Sequence, residues 1–245
     1  MDEEINRFFT EQYESNWYLG ARADVLAAII APLCTVGPGL RVVDFGAGVG
    51  SILARIDGGA ARIGIEGEWE LARVGHVTHG LSFVVADLTG RIPLASQCAD
   101  VVVALDVIEH LDDDHGALAE IHRVLKPAGR LVISVPAFQS LWSRHDELHH
   151  HKRRYSKHQL RELVASSGFS CARVTYFNSL LFPLVYASRM LERVSSGNRG
   201  GATDYEKPPR LVASLLRRVF GFEARLVPHV DFPIGVSLLA IATKN

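Results

Sequence analysis

The sequence predicts an α/β fold, a mostly parallel sheet with helices on both faces. Three observations carry that expectation. Between Arg41 and Val135, five short apolar runs alternate with stretches whose apolar residues recur at helical spacing. The runs are apolar without alternation, which suits strands buried on both faces. Gly, Pro or Asp punctuates their ends, and strands separated by helices in this way build parallel sheets.

The elements follow in order. Residues 21–33, ARADVLAAIIAPL, read as a helix within an N-terminal cap at 1–35. The strand runs are RVVDF (41–45), ARIGIE (61–66), LSFVVAD (81–87), DVVVALD (100–106) and RLVISV (130–135). A helix is expected from about Ser51, and ALAEIHRVL (117–125) has clear helical spacing. In SKHQLRELVASSGF (156–169), Ser156 can cap the helix N-terminus and Gly168 can end it. Two more strands are expected at 171–176 and 235–243. The stretch between them, 178–232, is far longer than a hairpin needs. It holds two apolar helical patterns (180–194 and 210–226) joined by a polar, glycine-rich segment (195–209), the best candidate for a mobile loop. The bland reading of this insert is an extra helical layer. The sharper ones are a lid, a homodimer contact or a membrane-surface element. No repeat divides the chain, so a single domain over 1–245 is expected.

Composition narrows the function. Hydrophobic residues make up 48% and charged residues 22% of 245, as in an ordinary globular domain. A net charge of −1 gives no general pull toward DNA, RNA or an anionic membrane, and leaves room for a local basic patch. Cys34, Cys98 and Cys171 have no paired spacing, which points to a reduced, cytoplasmic setting. The acidic start, MDEEINRFF, does not read as a secretory signal. No apolar run is expected to reach the roughly 18 residues of a membrane span; the nearest are 180–187 and 234–242.

The most informative stretch is Val42-Val43-Asp44-Phe45-Gly46-Ala47-Gly48-Val49-Gly50, a strand running into a glycine turn. Nicotinamide-binding domains use a similar turn. Two details favour a different ligand. Asp44 would repel a pyrophosphate and attract an ammonium group, and the G-x-G-x-x-G spacing is missing. Glu66 ends the second run, where a carboxylate can accept both hydroxyls of a ribose. Asp87 and Leu88 end the third, where a side-chain acceptor and a backbone N–H can meet an adenine. Asp106 ends the fourth. Four acids thus lie at the carboxyl edge, where open α/β sheets bind ligands.

With these motifs the sequence resembles a class I S-adenosylmethionine-dependent methyltransferase. VVDFGAGVG is similar to the first motif of that family, Glu66 to its ribose acid and ADL (86–88) to its adenine motif; ALDVIEHL (104–111) and EIHRVLKPAGRLVISVP (120–136) are similar to its fourth and fifth. The resemblance covers roughly 15–176 plus the last strand. It implies a Rossmann-like seven-stranded sheet whose last strand is antiparallel, S-adenosylmethionine as cofactor, and Asp44, Gly46, Ala47, Gly48, Glu66, Asp87, Leu88 and Asp106 around it. It also implies that Trp17, Tyr18 and Arg22 close the pocket, Arg22 near the methionine carboxylate. A helix anchored on the core is the plainer reading of Trp17 and Tyr18. Trp69 is read as flanking the adenine or as surface.

Four of eleven histidines fall in HDELHHHKRRYS (145–156). Asp106, Glu109 and His110 form a D-x-x-E-H pattern at the expected acceptor position. It resembles the E-x-x-E-H of metal-dependent O-methyltransferases, and His151 holds the place of a further ligand, with His149 or His145 as substitutes. That implies a divalent Mg, Mn, Fe or Zn on Asp106, Glu109, His110 and His151. The other readings are a metal-free general base, His110 or His151, or a structural role, with Glu109 buried and His149 and His150 solvated. Arg153 and Arg154 could clamp an acidic acceptor, although one is expected to pair with Asp146. Asp112–Asp114 read as the start of a helix. The expected activity is methyl transfer to a small-molecule oxygen in specialised metabolism or in glycan or lipid biosynthesis. Small-molecule N-methylation, RNA 2′-O-methylation and, more remotely, NAD-dependent oxidoreduction are the alternatives.

Overall fold

The computed structural model describes residues 16–34, 39–56, 59–194 and 208–245, with only the backbone for 192–194. Residues 195–207 of the expected loop (195–209) and residues 1–15 lie outside it. The strands are β1 (Arg41–Phe45), β2 (Ala61–Glu66), β3 (Ser82–Val85), β4 (Ala99–Leu105), β5 (Leu125–Pro136), β6 (Phe169–Phe177) and β7 (Ser237–Lys244). They form one sheet in the order β3-β2-β1-β4-β5-β7-β6, and β7 runs antiparallel to both neighbours. The remaining pairings are parallel. The expected Rossmann-like sheet with a reversed last strand is present.

Two-residue periodicity divides the core. In β1, Val43 and Phe45 face one side with Val102, Ala104 and Ile133; Val42 faces the other with Val101, Val103 and Val132. Helices α3 (Asp114–Val124) and α5 (Lys157–Ser166) cover the first side. Helix α1 (Trp17–Ile30) covers the second, together with α7 (Arg210–Leu226) from the insert. Val25, Leu26, Ile29 and Ile30 of α1 are 0–4% exposed, each contributing about 1.5–3 kcal/mol of burial. Helices α2 (Trp69–His79), α4 (Arg144–Leu148) and α6 (Phe182–Val194) complete the fold. Asp44 follows Val42 on the α1 side, so β1 aims its carboxylate under that helix.

The caps follow the sequence. Asn16 accepts from the backbone N–H groups of Tyr18 and Leu19 to start α1. Ser156 and Gln159 form a reciprocal box at the start of α5, and Gly168, at φ +88, follows its end. Three expectations are corrected and a fourth is extended. No full helix follows the glycine turn; one 3₁₀ turn, Leu53–Arg55, stands there, because Gly58 and Gly59 follow too soon for a stable helix. The third and fourth runs stop at Val85 and Leu105, before Asp87 and Asp106. Residues Trp17–Cys34 are long and apolar enough to cross a membrane, yet 56% of that stretch is buried against the sheet and α7, as in a core helix. Finally, Asp114 does more than favour a helix dipole. It is buried and accepts hydrogen bonds from the Tyr155 hydroxyl (2.8 Å) and Arg153 (3.0 Å).

Candidate active site

A cavity of about 590 Å³ opens at the carboxyl edge of β1 and β4, roofed by α1 and the insert. Its floor is the glycine turn. Gly46 takes φ +81, and a Cβ there would stand 2.4 Å from Val107 Cγ2, so only glycine fits. The N–H groups of Gly46 and Ala47 donate to the Ile65 carbonyl, and Gly48 N–H donates to Glu66 Oε2 at 2.7 Å. Glu66 Oε1 accepts from Glu68 N–H. Its carboxylate thus braces the turn and lies behind the cavity wall.

Asp44, Gly46, Ala47, Gly48, Trp17, Arg22, Asp106, Glu109, His110 and His151 all line the cavity. Glu66, Asp87 and Leu88 do not. Asp87 is exposed and folds back onto the N–H and hydroxyl of Thr89 (2.8 and 2.7 Å), while Leu88 packs on the core. Trp69 is 62% exposed, on the surface. Tyr18 stacks on Phe220, so it both lines the cavity and anchors α1. Burial, and then the charge of Glu66, push the Asp44 carboxyl up to about 7. A cationic ligand group beside it would restore the anion.

Asp106 follows β4 at φ +55, an uncommon backbone conformation for a residue with a side chain. Its carboxylate pairs with Arg22 and accepts from the Ser134 hydroxyl at 3.1 Å. Arg22 also donates to Ser134 and lies over the Phe177 ring. Ser134 and Phe177 carried no signal in the sequence, being an ordinary strand serine and a core aromatic.

The histidine-rich stretch folds around Asp146, which is fully buried. His151 Nδ1 lies 2.8 Å from Asp146 Oδ1, and Arg154 donates to both oxygens (2.7 and 3.0 Å). Burial alone would raise this carboxyl, but the hydrogen bonds from His151 and Arg154 hold it well below the usual carboxylate range. Arg153 is engaged by Asp114. Arg154 thus pairs with Asp146 as expected, and with Arg153 on Asp114 both guanidiniums are bound to acids rather than set as an acceptor clamp. The His110 and His151 rings meet edge to face at 4.7 Å, and burial, then His151, lowers the His110 pKa. His149 lines the cavity, in contrast to the solvated position expected for it, whereas His150 is exposed.

Glu109 is fully buried, and neither carboxylate oxygen has a hydrogen-bond partner among the described residues. Burial, and then Asp106, raise its pKa well above the ordinary value. Glu109, His110 and His151 each offer a ligand atom within 4.8 Å of one another. Asp106 stands outside this group, since Arg22 takes its carboxylate. Three of the four residues named for an ion therefore lie within reach of one another.

Known proteins agree with this architecture. Residues 43–133 match a family described as a methyltransferase domain. The chain is 27% identical over 188 residues to an uncharacterized 37.1 kDa protein in transposon TN4556 of Streptomyces fradiae, covering 69% of this chain and 54% of that protein. It is 35% identical over 101 residues to cycloartenol-C-24-methyltransferase 1 of Oryza sativa subsp. japonica, covering 38% of this chain and 29% of the other. The chain thus spans about half the length, or less, of these relatives. A solved structure of a SAM-dependent methyltransferase from Thermotoga maritima is 19% identical, covers 98% of both chains and superposes with a TM-score of 0.61. Residues 43–133 thus match a methyltransferase domain, and sheet order and glycine turn give the chain the Rossmann-like fold of solved S-adenosylmethionine-dependent methyltransferases.

Proposed function

We propose that the chain transfers the methyl group of S-adenosylmethionine to a hydroxyl oxygen of a small, partly apolar molecule. The observation that carries this reading is the His151–Asp146 pair on the cavity wall, in the same cavity as Asp44 and the glycine turn. When bound, the cofactor supplies a methyl on a positively charged sulfur, ready for in-line displacement. Asp44 faces its cationic amino-acid portion, and Arg22, anchored on Asp106, frames the methionine end. Glu66 is near enough to Asp44 to perturb it, and braces the glycine turn from behind the cavity wall. With Nδ1 tied to Asp146, His151 keeps Nε2 for the acceptor. It takes the hydroxyl proton as the oxygen–methyl bond forms and the sulfur–methyl bond breaks. Asp146 steadies the imidazolium, and the roof excludes water.

Cavity size supports a small acceptor. Leu181, Leu184, Val185 and Leu216 supply an apolar wall, and the buried Arg189 adds a charged position beside them. Such a lining suits an acceptor from lipid or specialised metabolism, and the similarity to cycloartenol-C-24-methyltransferase 1 supports an apolar body. An amine acceptor would use the same base. RNA 2′-O-methylation is disfavoured by the near-neutral charge. The test is turnover of an acceptor panel with labelled cofactor. Label moving to alcohols, with His151→Gln losing turnover yet binding S-adenosylhomocysteine normally, supports the reading. Equal activity in His151→Gln sinks it.

A second reading rests on the unpartnered carboxylate of Glu109. Glu109, His110 and His151 form a donor set suited to a borderline divalent cation. Asp146 would orient His151 as carboxylates orient metal-bound histidines. Such an ion would lower the acceptor's pKa and position it. Titration calorimetry with Zn²⁺ and Mn²⁺ on chelator-treated protein and on Glu109→Gln measures this directly: no binding by either protein rejects the ion.

A further inference from the structure

The insert between β6 and β7 exposes an unusual amount of apolar surface. Leu184 and Leu191 of α6 and Leu211, Leu215 and Phe222 of α7 range from 49% exposed (Phe222) to 87% exposed (Leu211). Positions 211, 215, 218, 222 and 225 recur at helical spacing and form one outer stripe on α7, reading Leu, Leu, Arg, Phe, Arg. Arg210 and Arg217 flank it, and all four arginines are exposed. The acid of α7, Glu223, is fully buried. It turns inward to accept from the N–H groups of Ser179 and Leu180 (2.7 and 2.6 Å), ahead of α6. The outer face of α7 is therefore both apolar and cationic, and its own sequence gives it no exposed acid.

We propose that α7 docks on an anionic lipid surface, with Leu211, Leu215 and Phe222 entering the acyl boundary and Arg218 and Arg225 meeting headgroup phosphates. Amphipathic helices with aromatic and aliphatic residues beside arginines lie in membrane interfaces this way, and each arginine near an anionic surface adds attraction. The whole chain has a net charge of −1, so the pull is local to this face. A second copy of the chain fits the face less well. A two-fold contact across the stripe would bring like-charged arginines together. Position also favours a membrane. Leu184 and Leu216, on α6 and α7, both line the cavity, and Leu184 is 57% exposed at its rim. An acceptor held in the bilayer could pass from lipid to cavity along this rim. The docking argument stands on α7 alone and does not depend on which acceptor is methylated.

The experiment is co-sedimentation of the full chain with phosphatidylcholine vesicles and with vesicles containing phosphatidylglycerol. Leu211→Glu/Phe222→Glu and Arg218→Gln/Arg225→Gln are compared alongside, with folding checked by thermal melting. These positions lie outside the cavity lining. The expected result is binding to phosphatidylglycerol vesicles, weakened about tenfold or more by either double variant and reduced by salt. Three results overturn the proposal. They are no binding to anionic vesicles, equal binding by both folded variants, and a solution dimer that Leu211→Glu/Phe222→Glu dissociates, which would make the face an interface between copies.

Discussion

His151 Nδ1 lies 2.8 Å from Asp146 Oδ1, and the same carboxylate is gripped by Arg154. One acid thus serves two purposes, orienting an imidazole at the cavity and neutralising a buried guanidinium. The two functions can be separated. His151→Gln is expected to lower kcat by about 10²–10⁴ with little change in melting temperature or in S-adenosylhomocysteine affinity. Asp146→Asn leaves Arg154 buried beside a neutral amide and costs about 3–5 kcal/mol, read as a shift in the urea midpoint. Equal stability losses in both variants would contradict the division.

Asp44 predicts a pH dependence. Its folded-state pKa of about 7 is above the ordinary carboxylate value, so the folded chain holds a proton that the unfolded chain has released. Stability from this group therefore falls as pH rises from about 4 toward 7. Cofactor affinity moves the other way, since the anion meets the ammonium group of the ligand. Calorimetry between pH 6 and 8 should show S-adenosylhomocysteine binding more tightly at the higher pH, with Asp44→Asn both weaker and flat.

Gly46→Ala is expected to fail twice over. Its Cβ would collide with Val107, and φ +81 is strained for alanine. The loss should be about 2–4 kcal/mol. Adding Val107→Ala should relieve the collision and leave the backbone strain, so the double variant should recover part of the melting temperature. Full recovery would show that the backbone conformation carries no cost.

Glu109 is raised by burial and by Asp106. The neutral carboxyl is the form that folding favours, so its stabilising contribution is lost as pH rises above the ordinary carboxylate range toward the raised value. Glu109→Gln keeps the shape and the neutrality. It should melt at or above the parent temperature, with the difference widening at alkaline pH. A large loss of stability at neutral pH would mean that the carboxylate is ionised and satisfied there.

The strands, the cap at Ser156 and the glycine turn were legible because each depends on residues near one another in sequence. The turn Asp87 makes with Thr89 was open to reading, since a short acid two residues before a hydroxyl commonly bonds back to its own loop. The partners of Arg22 were not, because Asp106 and Ser134 arrive from β-strand ends far along the chain. Nor was the inward turn of Glu66, whose carboxylate could have faced either ribose or backbone. Charge and spacing name the candidates, but only packing decides which acid each cation meets.

Tyr18 of α1 stacks on Phe220 of α7, and Asp24 approaches Arg217. The roof over the cavity is thus assembled from segments about 200 residues apart in the sequence. During translation β1, β4 and the glycine turn emerge long before α7, so the floor of the cleft is made before its cover, and β7 follows last among these elements. A nascent chain stalled before residue 210 would carry the cradle but lack the cover, and α1 would have no surface on which to seat Tyr18.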